Sequence, residues 1–155
     1  MADGMLALLP GCALPQLEAD SAEEVLSLLA GAAVAAGHGH PSLVAAVVER
    51  ERNYPTGLPT PIPSAIPHTD PVHVVHSGLG VATLAEPVEF GQMATAGVVV
   101  PVRFVVMLFV TEPAEQVGAL QQVLARLADA DGVQRLLDPP GGESFAAAVA
   151  DGLEG

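Results

Sequence analysis

Between Tyr54 and Pro67 the chain carries five prolines and Gly57. Proline has no backbone N–H and a fixed φ, so this density forbids a regular helix and predicts an ordered, stiff loop, long enough to be functional. Before it the sequence reads as helix. Ser21-Ala22-Glu23-Glu24 forms a capping-box pattern that opens an apolar segment from Val25 to Ala36. Gly37-His38-Gly39-His40-Pro41 breaks that helix, and Ser42 is placed to cap a second one through Leu43, Val44, Val47 and Val48, with Glu49 to Arg52 as its polar end.

After the loop the pattern changes. Val72 to Val75, Gly78 to Leu84 and Val98 to Val110 are short apolar runs rich in β-branched residues, separated by turn formers, and are expected to be strands. Glu112-Pro113 opens a third helix in which Val117, Leu120, Val123, Leu124 and Leu127 fall at helical spacing, with Asp129 to Gly132 closing it. Val133 to Leu137 adds a turn, and Ser144 to Leu153 reads as a last short helix. Helices, then strands, then helices predict an α/β layered domain, with a mixed sheet flanked by helices.

With 155 residues, half of them apolar, the chain can bury a core without metal or disulfide staples, and residues 1–155 are expected to form one domain. The single Cys12 fits a reducing compartment, so the cytoplasm is expected. An acid near the start, with Pro10 and Pro15 after it, does not suit a signal peptide. The most apolar run, Gly97 to Val110, is shorter than the roughly 20 residues of a spanning helix, so direct membrane insertion is not expected. Five arginines, no lysine and 18 acids give a formal charge of −13, which repels a phosphate backbone and attracts basic partners. With one tyrosine, four phenylalanines and no tryptophan there is also no aromatic platform for stacking bases, and nucleic-acid binding is not expected.

The five histidines divide by position. His38 and His40 lie in a Gly-rich interhelix turn, whereas His68, His73 and His76 cluster with Asp70 in Ile66-Pro67-His68-Thr69-Asp70-Pro71-Val72-His73-Val74-Val75-His76. Imidazoles and a carboxylate suit zinc, but the spacing is not a zinc signature. On a Val72 to His76 strand, His73 and His76 would also face opposite ways, so no metal is expected. Neutral imidazole is instead a good nucleophile toward phosphoryl groups near pH 7. Such a site needs a cation or N–H donors for the phosphoryl oxygens and a group that orients the ring; Arg50, Thr56, Gly57 and His68 could supply these parts.

Arg50-Glu51, Tyr54-Pro55-Thr56-Gly57-Leu58 and Ala65-Ile66-Pro67-His68, followed by His73 and by Val88 to Phe90, together resemble the fructose/mannitol-type enzyme IIA family of bacterial sugar phosphotransferase systems, and within it the galactitol-like branch. The resemblance runs from about Ser21 to Leu137. It implies an α/β fold in which His68 is phosphorylated, Arg50 helps to hold the phosphoryl group and Thr56 lines the pocket. Gly57, His73 and Gln116 are further candidates for that pocket. Many members carry a second histidine at the start of the helix after the long central strand. Here Gln116 takes that place, and an amide can donate a hydrogen bond but cannot change charge.

The implied reaction takes a phosphoryl group from the carrier protein HPr onto His68 and passes it to an enzyme IIB, with the membrane IIC domain involved indirectly and no cofactor. Both steps call for a shallow, exposed histidine, and an acidic rim suits a basic donor. A regulatory, nitrogen-type protein of the same fold and a histidine-based metal-binding module are the alternative readings.

Overall fold

The computed structural model describes residues 7–138 and 144–149. Its centre is β5 (Val99–Phe109), hydrogen-bonded along most of its length to the antiparallel β4 (Gly78–Gly91). The apolar run from Phe104 to Phe109 in β5 is explained by burial on both faces, whereas Val99 to Arg103 alternates exposed and buried. Val105, Met107 and Phe109 join the core under the first two helices, while Phe104, Val106 and Leu108 join the core under the later ones. Alternate residues of a strand point to opposite faces, so one apolar strand serves both layers.

The other strands complete a five-stranded mixed sheet in the order β1-β4-β5-β3-β2. β1 (Leu8–Leu17) runs parallel to β4 at one edge. Expectation began the chain with a helix, but it begins with this strand. Pro10, Gly11 and Pro15 disguise it, and they are tolerated because edge strands admit residues that cannot donate to a ladder. Its pairing slips twice, between Leu8 and Ala13 and between Leu14 and Leu17, and Gly11 sits at φ +83°.

At the other edge, the proline-rich loop contains two strands of two residues each. β2 (Gly57–Leu58) pairs antiparallel with β3 (Ser64–Ala65), and β3 runs parallel to β5. The pairing continues past β3, since Leu108 N–H donates to Pro67 O at 3.0 Å. His68 therefore leaves a backbone already fixed to the sheet.

Helix α1 (Ala22–Ala35) is capped at Ser21, whose hydroxyl accepts from Glu24 N–H at 3.1 Å. The Glu24 carboxylate reaches back to the amide of Asp20, one residue before the usual partner. The helix ends in a Schellman motif: Gly37, at φ +87°, donates to Val34 O, and His38 donates to Ala33 O. In α2 (Leu43–Asn53) Ser42 occupies the N-cap position but its side chain does not cap. Its hydroxyl bonds His73 Nδ1 at 2.8 Å instead.

The strand expected over Val72 to Val75 does not form. Pro71–His73 is a 3₁₀ turn opened by proline, and Val72 and Val75 are exposed. On the opposite layer, α3 (Pro113–Leu127), α4 (Ala130–Leu137) and α5 (Phe145–Val149) cover the sheet. Asp129, expected to close α3, instead caps α4 by accepting from Gly132 N–H at 3.2 Å, and that segment is a helix rather than a turn. The expected continuation of the last helix to Leu153 lies outside the described residues.

Candidate functional site

The proline-rich loop, the end of α2 and the β4–β5 connection enclose a cavity of about 590 Å³. Arg50, Asn53, Tyr54, Pro55 and Thr56 form one side, residues 92–96 face them, and His68 and Leu120 complete the lining.

His68 is only 9% exposed, not the open surface histidine expected, and solvent reaches it through this cavity. Its Nδ1 lies 2.9 Å from the carbonyl oxygen of Ile66. A carbonyl can only accept, so Nδ1 carries the proton and Nε2 keeps its lone pair. Burial holds the ring below the ordinary histidine pKa. The Ile66 hydrogen bond opposes that shift, Arg50 adds to it and Asp70 opposes it. The ring is thus neutral, with its tautomer set, at neutral pH.

Arg50 stands on the last turn of α2 with its guanidinium carbon 4.7 Å from the centre of the Tyr54 ring. Its ion pair with Asp70 is long, 4.0 Å, between side chains 37% and 74% exposed, and so contributes little. Arg50 Nε is buried and has no hydrogen-bond partner among the described residues. The side chain as a whole lines the cavity and is 37% exposed, so its positive charge is open to an anion there.

Thr56 lines the cavity and is fully committed locally. Its amide donates to Glu51 Oε2 at 2.7 Å and its hydroxyl to Glu51 Oε1 at 2.8 Å. Glu51 is 8% exposed, and burial pushes its carboxyl pKa up while the two Thr56 bonds pull it down. Gly57 is buried behind the wall, and its carbonyl accepts from Met93 N–H at 2.8 Å. A Cβ at this position would stand 2.6 Å from Gly91 O, a backbone atom that cannot easily move, so the approach of the two strands requires glycine.

Arg50, Thr56 and His68 are therefore brought together, with Gly57 directly behind them. His73 and Gln116 are not in the cavity lining; His73 bonds Ser42, and Gln116 is half-buried on α3. His38 and His76 pair elsewhere, with their Nδ1 atoms 3.1 Å apart and His38 Nε2 donating to Pro10 O. Among the described residues no group of three or more His, Cys, Asp or Glu side chains is placed to hold a metal ion. Nor is any helix among them long and apolar enough to cross a membrane.

Sequence reasoning missed the 92–96 wall and the part played by Glu51. The first shows only once β4 and β5 pair. The second was signalled by a carboxylate five residues before a threonine at the end of a helix.

A search of curated proteins finds no significant match to this chain. Among solved structures, the crystal structure of IIA mannitol from Escherichia coli matches with a TM-score of 0.73 and 21% identity over 92% of this chain and 96% of that one. The IIA chain matched in the Escherichia coli complex of enzyme IIAMTL with phosphorylated enzyme IIBMTL gives 0.72 and 21%, over 94% and 95%. The nitrogen regulatory protein IIA-Ntr from Neisseria meningitidis gives 0.70 and 20%, over 97% of both. At these identities the likeness is one of fold, a mixed sheet with helices. The family model described as "Phosphoenolpyruvate-dependent sugar phosphotransferase system, EIIA 2" matches residues 9–150, and the chain belongs to that family.

Proposed function

We propose that this chain is a phosphohistidine carrier: His68 Nε2 accepts a phosphoryl group from the phosphohistidine of HPr and delivers it to an enzyme IIB. The observation that carries this reading is the Nδ1–H to Ile66 carbonyl bond, which leaves Nε2 as the nucleophilic nitrogen in a cavity also lined by Arg50.

In the accepting step the Nε2 lone pair attacks phosphorus in line as the phosphorus–nitrogen bond of the donor breaks, and the donor imidazole leaves with that bonding pair. The His68 ring keeps its Nδ1 proton and becomes cationic, so the Ile66 carbonyl bond strengthens as charge develops. The same feature suits the onward step, because the ring then departs from phosphorus as neutral imidazole. The Arg50 guanidinium, part-exposed on the cavity wall, neutralises charge on the phosphoryl oxygens. No side chain need exchange a proton in either direction, which is appropriate for a carrier that must work reversibly.

The family contains sugar-specific and nitrogen-regulatory forms, and the galactitol-like motifs support the sugar-specific form. The two readings share the first step and part at the acceptor. The test is incubation with phosphoenolpyruvate, enzyme I and HPr, followed by an enzyme IIB. An acid-labile mass gain of about 80 Da that is absent in His68→Ala, and that is discharged by IIB, is the expected outcome. Absence of labelling in the wild type refutes the carrier reading, labelling that survives His68→Ala moves the site, and labelling that no IIB discharges favours the regulatory form.

A further inference from the structure

Glu51 is a carboxylate on a buried helix face, a costly arrangement unless something uses both of its oxygens. Among the described residues no cation takes that part. Arg52, which with Glu51 lines a second, smaller cavity between the first two helices and the sheet, pairs with Glu23 at 2.7 Å. The two Glu51 oxygens are instead taken by one residue, through the amide and the hydroxyl of Thr56.

Thr56 is where the walls of the His68 cavity meet. Its carbonyl accepts from Ile66 N–H at 3.3 Å, and Ile66 O in turn holds the His68 ring. The next residue, Gly57, pairs with Ala65 and holds Met93. On the helical side, Arg50 precedes Glu51 directly. Two short hydrogen bonds thus tie the turn that bears the phosphate-binding cation to the strand that presents the nucleophile.

We propose that Glu51 is the positioning residue of the phosphoryl-transfer site, its carboxylate fixing the Arg50 turn relative to the His68 strand by accepting both donors of Thr56. The inference rests on the phosphocarrier reading but has a readout independent of it.

The test measures phosphoryl transfer from phosphorylated HPr, with rate and KM resolved, alongside the NMR titration of the His68 ring. Glu51→Ala should lower the transfer rate on the order of 10²-fold, the scale of an ångström's misplacement, with KM for the donor unchanged because the docking surface is intact. Glu51→Gln should restore most of the rate, since its oxygen can accept from the Thr56 amide while its NH2 group donates to the Thr56 hydroxyl. Thr56→Val removes one of the two bonds and should cost less than Glu51→Ala. Combining it with Glu51→Ala should add nothing further. Glu23→Ala, a carboxylate on the adjoining helix, should leave the rate unchanged.

A folded Glu51→Ala at the wild-type rate overturns the proposal, as does a loss confined to KM. If Glu51→Ala does not fold, Thr56→Val at the wild-type rate overturns it. If the wild type takes up no phosphoryl group, the carrier reading fails and the titration decides for Glu51. The His68 ring should titrate below the ordinary range in wild type and Glu51→Gln and move toward it in Glu51→Ala, and an unmoved titration refutes the positioning role.

Discussion

Replacing Arg50 by alanine separates catalysis from stability. In the resting protein the guanidinium makes a long, exposed pair with Asp70, worth at most about 1 kcal/mol, and a contact with the Tyr54 ring of about 0.5–1 kcal/mol. Its buried Nε–H has no partner, so that atom contributes nothing favourable to the folded state. Arg50→Ala should therefore change unfolding stability by no more than about 1–2 kcal/mol, and removal of the unsatisfied donor offsets part of even that. On the proposed carrier mechanism the same group meets a phosphoryl anion in the transition state, where loss of one preorganised donor typically costs 10²–10³-fold, or about 2.7–4 kcal/mol. Rapid-quench transfer from phosphorylated HPr, with urea unfolding of the same sample, measures both numbers. Arg50→Lys should recover only part of the rate, because an ammonium lacks the planar fork of a guanidinium. A transfer rate within threefold of wild type, or a rate loss matched by lost folding, would refute the assignment of Arg50 as the charge clamp.

Other outcomes follow from the same contacts. Because burial holds the His68 pKa below the ordinary value of about 6.5, the rate of phosphoryl acceptance should stay level as pH falls through that value and decline only below it. The stability sign is opposite to that of a salt-bridged histidine. The unfolded ring takes up a proton near pH 6.5 while the folded ring resists, so stability present above that pH is lost as pH falls toward the folded pKa. His68→Ala should remove this part of the pH dependence in urea titrations. Gly57→Ala should destabilise by about 1–3 kcal/mol, the usual cost of overpacking, since its Cβ meets Gly91 O, and unchanged urea unfolding would count against the close approach. Ser21→Ala should cost about 1 kcal/mol as a lost helix cap, whereas Ser42→Ala should cost less because that hydroxyl bonds His73 and caps nothing; thermal unfolding of the pair tests the contrast.

The helices and the central strand were legible because their signals are local: the cap at Ser21, the break at Gly37 and the long β-branched run that became β5. The candidate site was legible through residue types with few other uses in that order, an arginine at a helix end, a Thr-Gly turn and a histidine after proline. What escaped depends on pairing between distant segments. β1 carries two prolines that would be read as breakers anywhere but at a sheet edge, where β4 supplies its partner. Val72 to Val75 has strand composition, but Pro71 starts a 3₁₀ turn and among the described residues the segment pairs only through a single bridge from Val74 to Gly39. Glu51 read as part of a polar helix end beside Glu49 and Arg52. Only the fold reveals that it faces inward while they face out.

The carbonyl of Gly57 holding the amide of Met93, beside the bridge from Gly57 to Gln92, pins the start of the far wall of the cavity to the sheet edge. To open like a lid, that wall would have to break pairing at the sheet edge. On the proposed carrier mechanism, successive partner proteins would meet a cleft anchored at that point, adapting through their own protruding side chains. Selectivity would then reside in the shape of what the partner inserts, and the amide of Met93 should exchange its hydrogen at nearly the same slow rate whether or not His68 is loaded.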